Sequence, residues 1–206
     1  MITRRRAALA VAGSVLAALV AVPAPAFAAP VAHDDSYALY AGGTYTIDPI
    51  ANDDTTLLSS GALSLCGISG VDQQKIYAEQ SGDSIVVEVG EGFRGRTRIT
   101  YEACQGSQRD SGTIILDVAR LTDLTGAKKK RARGRVVFTD PNAVAVRVSY
   151  GSASSGRPDT TRTVPARRSI TVSTSRRSIY WLGLFSDRGT IITVGDDVIR
   201  GLQTTK

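Results

Sequence analysis

The chain predicts an all-β protein, two small β-sandwich domains behind a cleaved signal peptide. Three observations carry this expectation. Apolar residues recur with period two over most of the chain, as in Ile85, Val87 and Val89 or in Val144, Val146, Val148 and Tyr150. Clusters of turn-forming residues interrupt these runs at short intervals. Beyond the first 28 residues no stripe of helical period appears.

Residues 1–28 read as an export signal. Arg4, Arg5 and Arg6 form the charged start, residues 7–22 are uncharged and rich in Ala, Val and Leu, and Ala26-Phe27-Ala28 offers small residues where a signal peptidase cuts. The apolar run is shorter than the roughly 20 residues a span needs, so no transmembrane segment is expected in the mature chain. That chain would begin near Ala29 and work as a secreted protein. With neither a lipidated cysteine nor an apolar tail, any attachment to the cell envelope is expected to be non-covalent.

Residues 29–119 form the first predicted sandwich. Ile85, Val87 and Val89 alternate with Val86 and Glu88, and Ile99, Tyr101 and Ala103 with Thr100 and Glu102. Ala41-Gly42-Gly43, Gln80-Ser81-Gly82-Asp83 and Gln105-Gly106-Ser107 punctuate them as turns. Cys66 and Cys104 are the only cysteines, and an oxidising compartment would let them pair, the alternative being two separate thiols. A bridge would close a loop of 38 positions, worth about 4 kcal/mol on the chain-entropy model. Leu63 and Leu65 would face inward, leaving Cys66 and Cys104 on outward faces and the bridge superficial, unless a bulge reverses the parity.

Residues 120–134 are expected to be a basic linker. Apolar content falls there, and Lys128, Lys129, Lys130, Arg131, Arg133 and Arg135 accumulate like charge. Residues 135–206 form the second predicted sandwich. Val144 to Tyr150 alternate, Ile170 and Val172 sit between Ser and Thr, and Ser186-Asp187-Arg188-Gly189 reads as a tight hairpin. Ile179 to Phe185 is apolar on both faces, which suits a central strand with Trp181 in the core. An exposed aromatic platform is the sharper alternative.

The net charge of +6 hides a division. Residues 29–119 carry 13 acidic and 5 basic side chains, a net of −8, whereas residues 120–206 carry 17 basic and 6 acidic, a net of +11. Such asymmetry concerns partners rather than fold. After an export signal, nucleic acid is not the expected partner; an anionic cell-wall polymer or surface is. Arg147, Arg162, Arg167, Arg168, Arg176 and Arg177 would extend the basic patch. The halves also offer two other uses of their charge: head-to-tail self-association, giving a homo-oligomer, and docking of one half on the other within a chain.

Asp34-Asp35-Ser36-Tyr37, Tyr45-Thr46-Ile47-Asp48 leading to Ile50-Ala51-Asn52-Asp53-Asp54, Phe93-Arg94-Gly95 before residues 97–102, and Ser111 to Val118 occur in an order that resembles the bacterial immunoglobulin-like, cadherin-like repeat of secreted and surface proteins. The resemblance covers residues 31–119. It implies an extracellular, non-enzymatic module used for spacing, adhesion or display. Some members bind calcium through aspartates near domain ends and loops, which implies Asp34, Asp35, Asp53 and Asp54 as candidate metal ligands here. The chain departs from the pattern in three ways: residues 55–61 carry no further aspartate, only one copy is present, and the two cysteines are not a usual feature. The residues themselves also have structural uses, since Asn52-Asp53-Asp54 can turn the chain through side-chain hydrogen bonds.

An enzyme is not expected. His33, the one histidine, lies close to the predicted N-terminus and is poorly placed for a general base, which removes Ser-His and Cys-His schemes and zinc sites. No glycine-rich loop precedes a helix, so no nucleotide cofactor is expected either. A carboxylate pair of the glycosidase kind is the alternative that spacing in sequence does not address, and it keeps a secreted carbohydrate-active enzyme as the lesser reading.

Overall fold

A computed structural model describes residues 29–56 and 61–203, which contain fourteen strands and no helix. The expected export signal, residues 1–28, lies outside the described residues, as do residues 57–60 and 204–206. In the first half the strands are β1 (Asp35–Tyr40), β2 (Thr44–Ile47), β3 (Leu63–Ser69), β4 (Ile76–Ser81), β5 (Ser84–Val89), β6 (Gly95–Gln105) and β7 (Gln108–Ala119). In the second they are β8 (Thr125–Lys128), β9 (Arg135–Thr139), β10 (Val146–Ser152), β11 (Thr160–Val164), β12 (Ser169–Ser173), β13 (Ile179–Asp187) and β14 (Thr190–Ile199).

Each half is a sandwich of a four-stranded and a three-stranded sheet. The first packs β1-β7-β6-β3 on β2-β5-β4, and the second packs β11-β10-β13-β14 on β12-β9-β8. The alternation read in the sequence is the alternation of burial. Ile85, Val87, Val89, Ile99, Tyr101 and Ala103 meet in one core, and Val146, Val148, Tyr150, Phe138 and Trp181 in the other. The halves differ in one pairing: β1 runs parallel to β7 at the edge of its sheet, whereas every pair in the second half is antiparallel.

β13 lies inside its sheet between β10 and β14, and Trp181 is only 3% exposed, against Phe138 at 5.6 Å between ring centroids. The core reading of Trp181 holds, and the exposed platform does not. Arg188 and Gly189 make the β13–β14 turn, both at positive φ (45° and 82°), the geometry of a two-residue hairpin. β10 begins at Val146 rather than Val144.

Two expectations are corrected. The segment 120–134 is not a linker: Leu124 is buried in the second core, and Thr125–Lys128 pairs with β9. The glycine within it has a packing cause. Gly126 lies opposite Phe138, and a Cβ there would come within 2.9 Å of the Phe138 and Trp181 rings. Cys104, expected outside, is 4% exposed. Residues pair regularly up to Leu65↔Ala103, and the register then shifts at Cys66. This bulge leaves Cys66 exposed and aims it at a buried partner on the neighbouring strand, where the Cys66–Cys104 disulfide forms with Cα atoms 5.9 Å apart.

Candidate functional site

Two charged poles stand out, one around the start of β1 and one at the loop between β8 and β9. The halves meet where Tyr40 packs edge-on against Phe185, with ring centroids 4.8 Å apart. There Arg188 Nη2 donates to Ala38 O at 2.6 Å and Thr190 Oγ1 donates to Thr44 O. From this joint β1 leads back to Asp35, and β14 runs from Thr190 to Ile199, about 30 Å at strand rise.

The basic pole is the loop between β8 and β9. Lys129, Lys130, Arg131, Arg133 and Arg135 are exposed there, and Lys128 is half-buried at the end of β8. The loop is held by its backbone: Lys129 N donates to Arg135 O at 2.9 Å, and Arg131 adopts φ 57°. Gly134 N donates to Leu202 O and Thr174 N to Gly134 O at 2.8 Å, tying the hairpin to the β12–β13 loop and to the buried Leu202. Gln203 donates to Thr174 O and Arg176 O. Leu202 N in turn donates to Arg177 O, which brings the exposed Arg177 to the same end. None of the ion pairs among the described residues engages Lys129, Lys130, Arg131, Arg133, Arg135 or Arg177.

The other arginines expected to extend this patch do not all join it. Arg176 is spent on Asp159, at 2.5 and 3.1 Å, and holds that carboxyl below the usual range. Arg167 N donates to Asn142 O and Arg168 O accepts from Asp140 N, at the end of β9 away from Arg135. Arg147 lies on β10 across from Leu184, and Arg162 on the edge strand β11.

The acidic pole gathers Asp34, Asp35, Asp48, Asp53 and Asp54 around the start of β1. Asp53 Oδ1 accepts from His33 N at 2.7 Å and from Tyr101 Oη at 2.8 Å, and Asp34 Oδ1 accepts from Thr113 N at 2.8 Å. His33 Nε2 and Asp54 Oδ2 lie 3.1 Å apart. Burial pushes the Asp35 carboxyl up to about 6, with the Asp53 charge adding to the effect and a hydrogen bond from Asn52 opposing it. Burial, with Asp53 alongside, pushes the Tyr101 phenol far above its ordinary value.

Calcium takes six to eight oxygen ligands at 2.3–2.6 Å. Here Asp34 and Asp53 each commit an oxygen to a backbone N–H. The buried oxygens left unpartnered are two, Asp35 Oδ2 and Asp53 Oδ2. Among the described residues no three His, Cys, Asp or Glu side chains are grouped to hold a metal ion. The four aspartates do come together, as the resemblance implied, but the donor set does not fit the ion. Sequence reasoning missed Tyr101 and Asp110 at this pole. Tyr101 reads as an ordinary core aromatic, and its position beside Asp53 follows from strand pairing alone.

No family model matches the chain, and no curated protein does. Among solved structures it is similar to the four N-terminal immunoglobulin domains of Dscam1 isoform 6.9, at 10% identity and TM-score 0.27 over 84% of this chain and 45% of that one. It is also similar to human protocadherin-24 EC1-2, at 10% identity and TM-score 0.35 over 84% and 97%. A third is an endo-fucoidan hydrolase of glycoside hydrolase family 107, at 12% identity and TM-score 0.36 over 90% and 30%. The chain thus spans less than half of the Dscam1 fragment and less than a third of the hydrolase. Its own strand order makes it an all-β protein of two sandwiches, the first of them immunoglobulin-like.

Proposed function

We propose that this is an exported, non-enzymatic protein with a structural or adhesive role outside the cell, and that the β8–β9 hairpin holds an anionic cell-envelope polymer. One observation carries the reading. Lys129, Lys130, Arg131, Arg133 and Arg135 are exposed on a single backbone-braced loop, and no carboxylate among the described residues neutralises them. Such a loop offers several cations at fixed spacing, so a polymer with repeated negative charge gains contacts without the loop first becoming ordered. The Cys66–Cys104 disulfide is in keeping with an oxidising compartment.

The test is co-sedimentation of the chain with bacterial cell walls across a salt series. Binding is expected to fade steeply as salt rises. The triple variant Lys129→Glu, Lys130→Glu, Arg131→Glu is expected to lose binding by about tenfold or more without loss of melting temperature. Binding that persists unchanged at high salt, or in that variant, would overturn the electrostatic mechanism.

A second reading is favoured by the placement of the poles. An acidic cluster on one half and a basic loop on the other are charges of opposite sign that two copies could match head-to-tail. Sedimentation velocity at low and high salt, with no polymer present, distinguishes the two. A mass that rises with protein concentration only at low salt marks self-association.

A further inference from the structure

The cluster of Asp34, Asp35, Asp53 and Asp54 occupies positions where some proteins with the resembling repeat hold calcium, yet Asp34 Oδ1 and Asp53 Oδ1 are taken by backbone amides, and the buried oxygens left without a partner, Asp35 Oδ2 and Asp53 Oδ2, fall short of the six to eight that calcium takes. We infer that this pole is a metal-free latch, in which Asp53, Asp110 and Tyr101 grip the backbone of residues 31–33 and fasten the start of β1 to the first sandwich.

The hydrogen bonds follow the chain residue by residue. Val31 N donates to Asp54 O and Asp54 N to Val31 O, both at 3.0 Å. Ala32 N donates to Asp110 Oδ2 at 3.0 Å, and His33 N to Asp53 Oδ1 at 2.7 Å. The single phenolic proton of Tyr101 lies between His33 O and Asp53 Oδ1, each 2.8 Å away. Asp34 then accepts from Thr113 N on β7, and the parallel β1–β7 ladder begins at Asp35↔Ile114. Each backbone N–H from Val31 to His33 therefore has a named acceptor, and two of the three acceptors are carboxylates.

The reach of Tyr101 has its own cause. Gly112 is its partner across β6 and β7, and a Cβ there would collide with the phenol ring. A glycine at this position lets the ring lie flat over β7 and extend its hydroxyl to His33 and Asp53. The need for a latch is topological. β1 is an edge strand with one neighbour, so its first residues would fray without a further hold. A calcium ion on Asp53 Oδ1 would have to displace the His33 amide and the Tyr101 hydroxyl, which leaves Oδ2 as the one unpartnered oxygen of that side chain.

The test is amide hydrogen exchange at Ala32 and His33 in the full chain, with millimolar calcium or with a chelator, in the unaltered protein and in Asp53→Asn, Asp53→Ala and Tyr101→Phe. The latch predicts the same exchange and melting temperature with and without calcium. Asn keeps a side-chain acceptor, so Asp53→Asn should hold exchange near the unaltered rate. Asp53→Ala and Tyr101→Phe should speed it by about tenfold or more while core amides of β6 and β7 stay protected. Should the alanine variant fail to fold, Tyr101→Phe, which keeps the ring in the core, decides. Slower exchange or a higher melting temperature with calcium, lost in Asp53→Asn, would overturn the inference. So would unchanged exchange in both Asp53→Ala and Tyr101→Phe.

Discussion

Asp35 opens β1 with its carboxyl pushed up to about 6 from the ordinary 3.8, by burial first and by the Asp53 charge second. The folded state therefore holds this proton more tightly than the unfolded chain does. The associated stability is complete below about pH 4 and is lost as pH rises through about 6. Because the side chain is only partly buried, solvent reduces the loss to the order of 1 kcal/mol. Asp35→Asn keeps the shape and removes the charge. In urea unfolding at about pH 4 and pH 7, the difference between the unaltered chain and this variant should widen in the variant's favour at the higher pH. A difference that is the same at both would show that Asp35 ionises as freely folded as unfolded. None of this was legible in the order of residues. Asp34 and Asp35 look equivalent there, yet one is an exposed acceptor for Thr113 N and the other is tucked beneath its neighbours.

The turn between β9 and β10 shows how an element can carry more than a change of direction. Asp140-Pro141-Asn142 reads as a turn, and it is one, but Asp140 and Asn142 are 1% and 7% exposed. Asn142 Oδ1 accepts from Thr122 N at 2.7 Å, and its Nδ2 donates to Thr122 O and to Asp140 Oδ1, both at 2.8 Å. This knot pins the strand-like entry of the second half beside Leu124, and it is one reason the segment 120–134 does not behave as a linker. Asn142→Ala would take both side-chain partners from the Thr122 backbone and one of two donors from the buried Asp140 Oδ1, which keeps the N–H of residue 142. We expect a loss of about 2 kcal/mol in urea unfolding, with the first half untouched. A loss below about 0.5 kcal/mol would mean that water replaces the amide without cost. Composition could not have shown this, because an Asn in a turn and an Asn in a buried network have the same neighbours in sequence.

Across the whole molecule, the joint between the halves includes the Tyr40–Phe185 edge contact, the packing of Tyr40 against the second core, and the bonds from Arg188 and Thr190 to backbone carbonyls of the first half. Arg188 reaches Ala38 from a left-handed backbone at the hairpin tip, so the turn that joins β13 to β14 also orients the two sandwiches. The double variant Phe185→Ala, Arg188→Gly, which also trims Phe185 from the edge of the second core, is expected to make unfolding less cooperative, with near-UV and far-UV signals no longer melting together. A single coincident transition in that variant would show that the halves are coupled by something other than this joint.

The sequence by itself determined the class of fold and the two cores, because period-two burial is a local property that Ile85 to Val89 or Val146 to Tyr150 express without reference to any other strand. It also determined the sign of charge on each half, since charge is counted and not folded. Tertiary structure alone decided what those charges face. Pairing across β6 and β7 carries Tyr101 to Asp53, a bulge at Cys66 turns one cysteine outward against a buried partner, and the bond from Gly134 to Leu202 brings the basic loop to the end of the second half. Each of these depends on which strands lie side by side, and residues 38 positions apart, as the cysteines are, or 48, as Asp53 and Tyr101 are, meet only through that pairing.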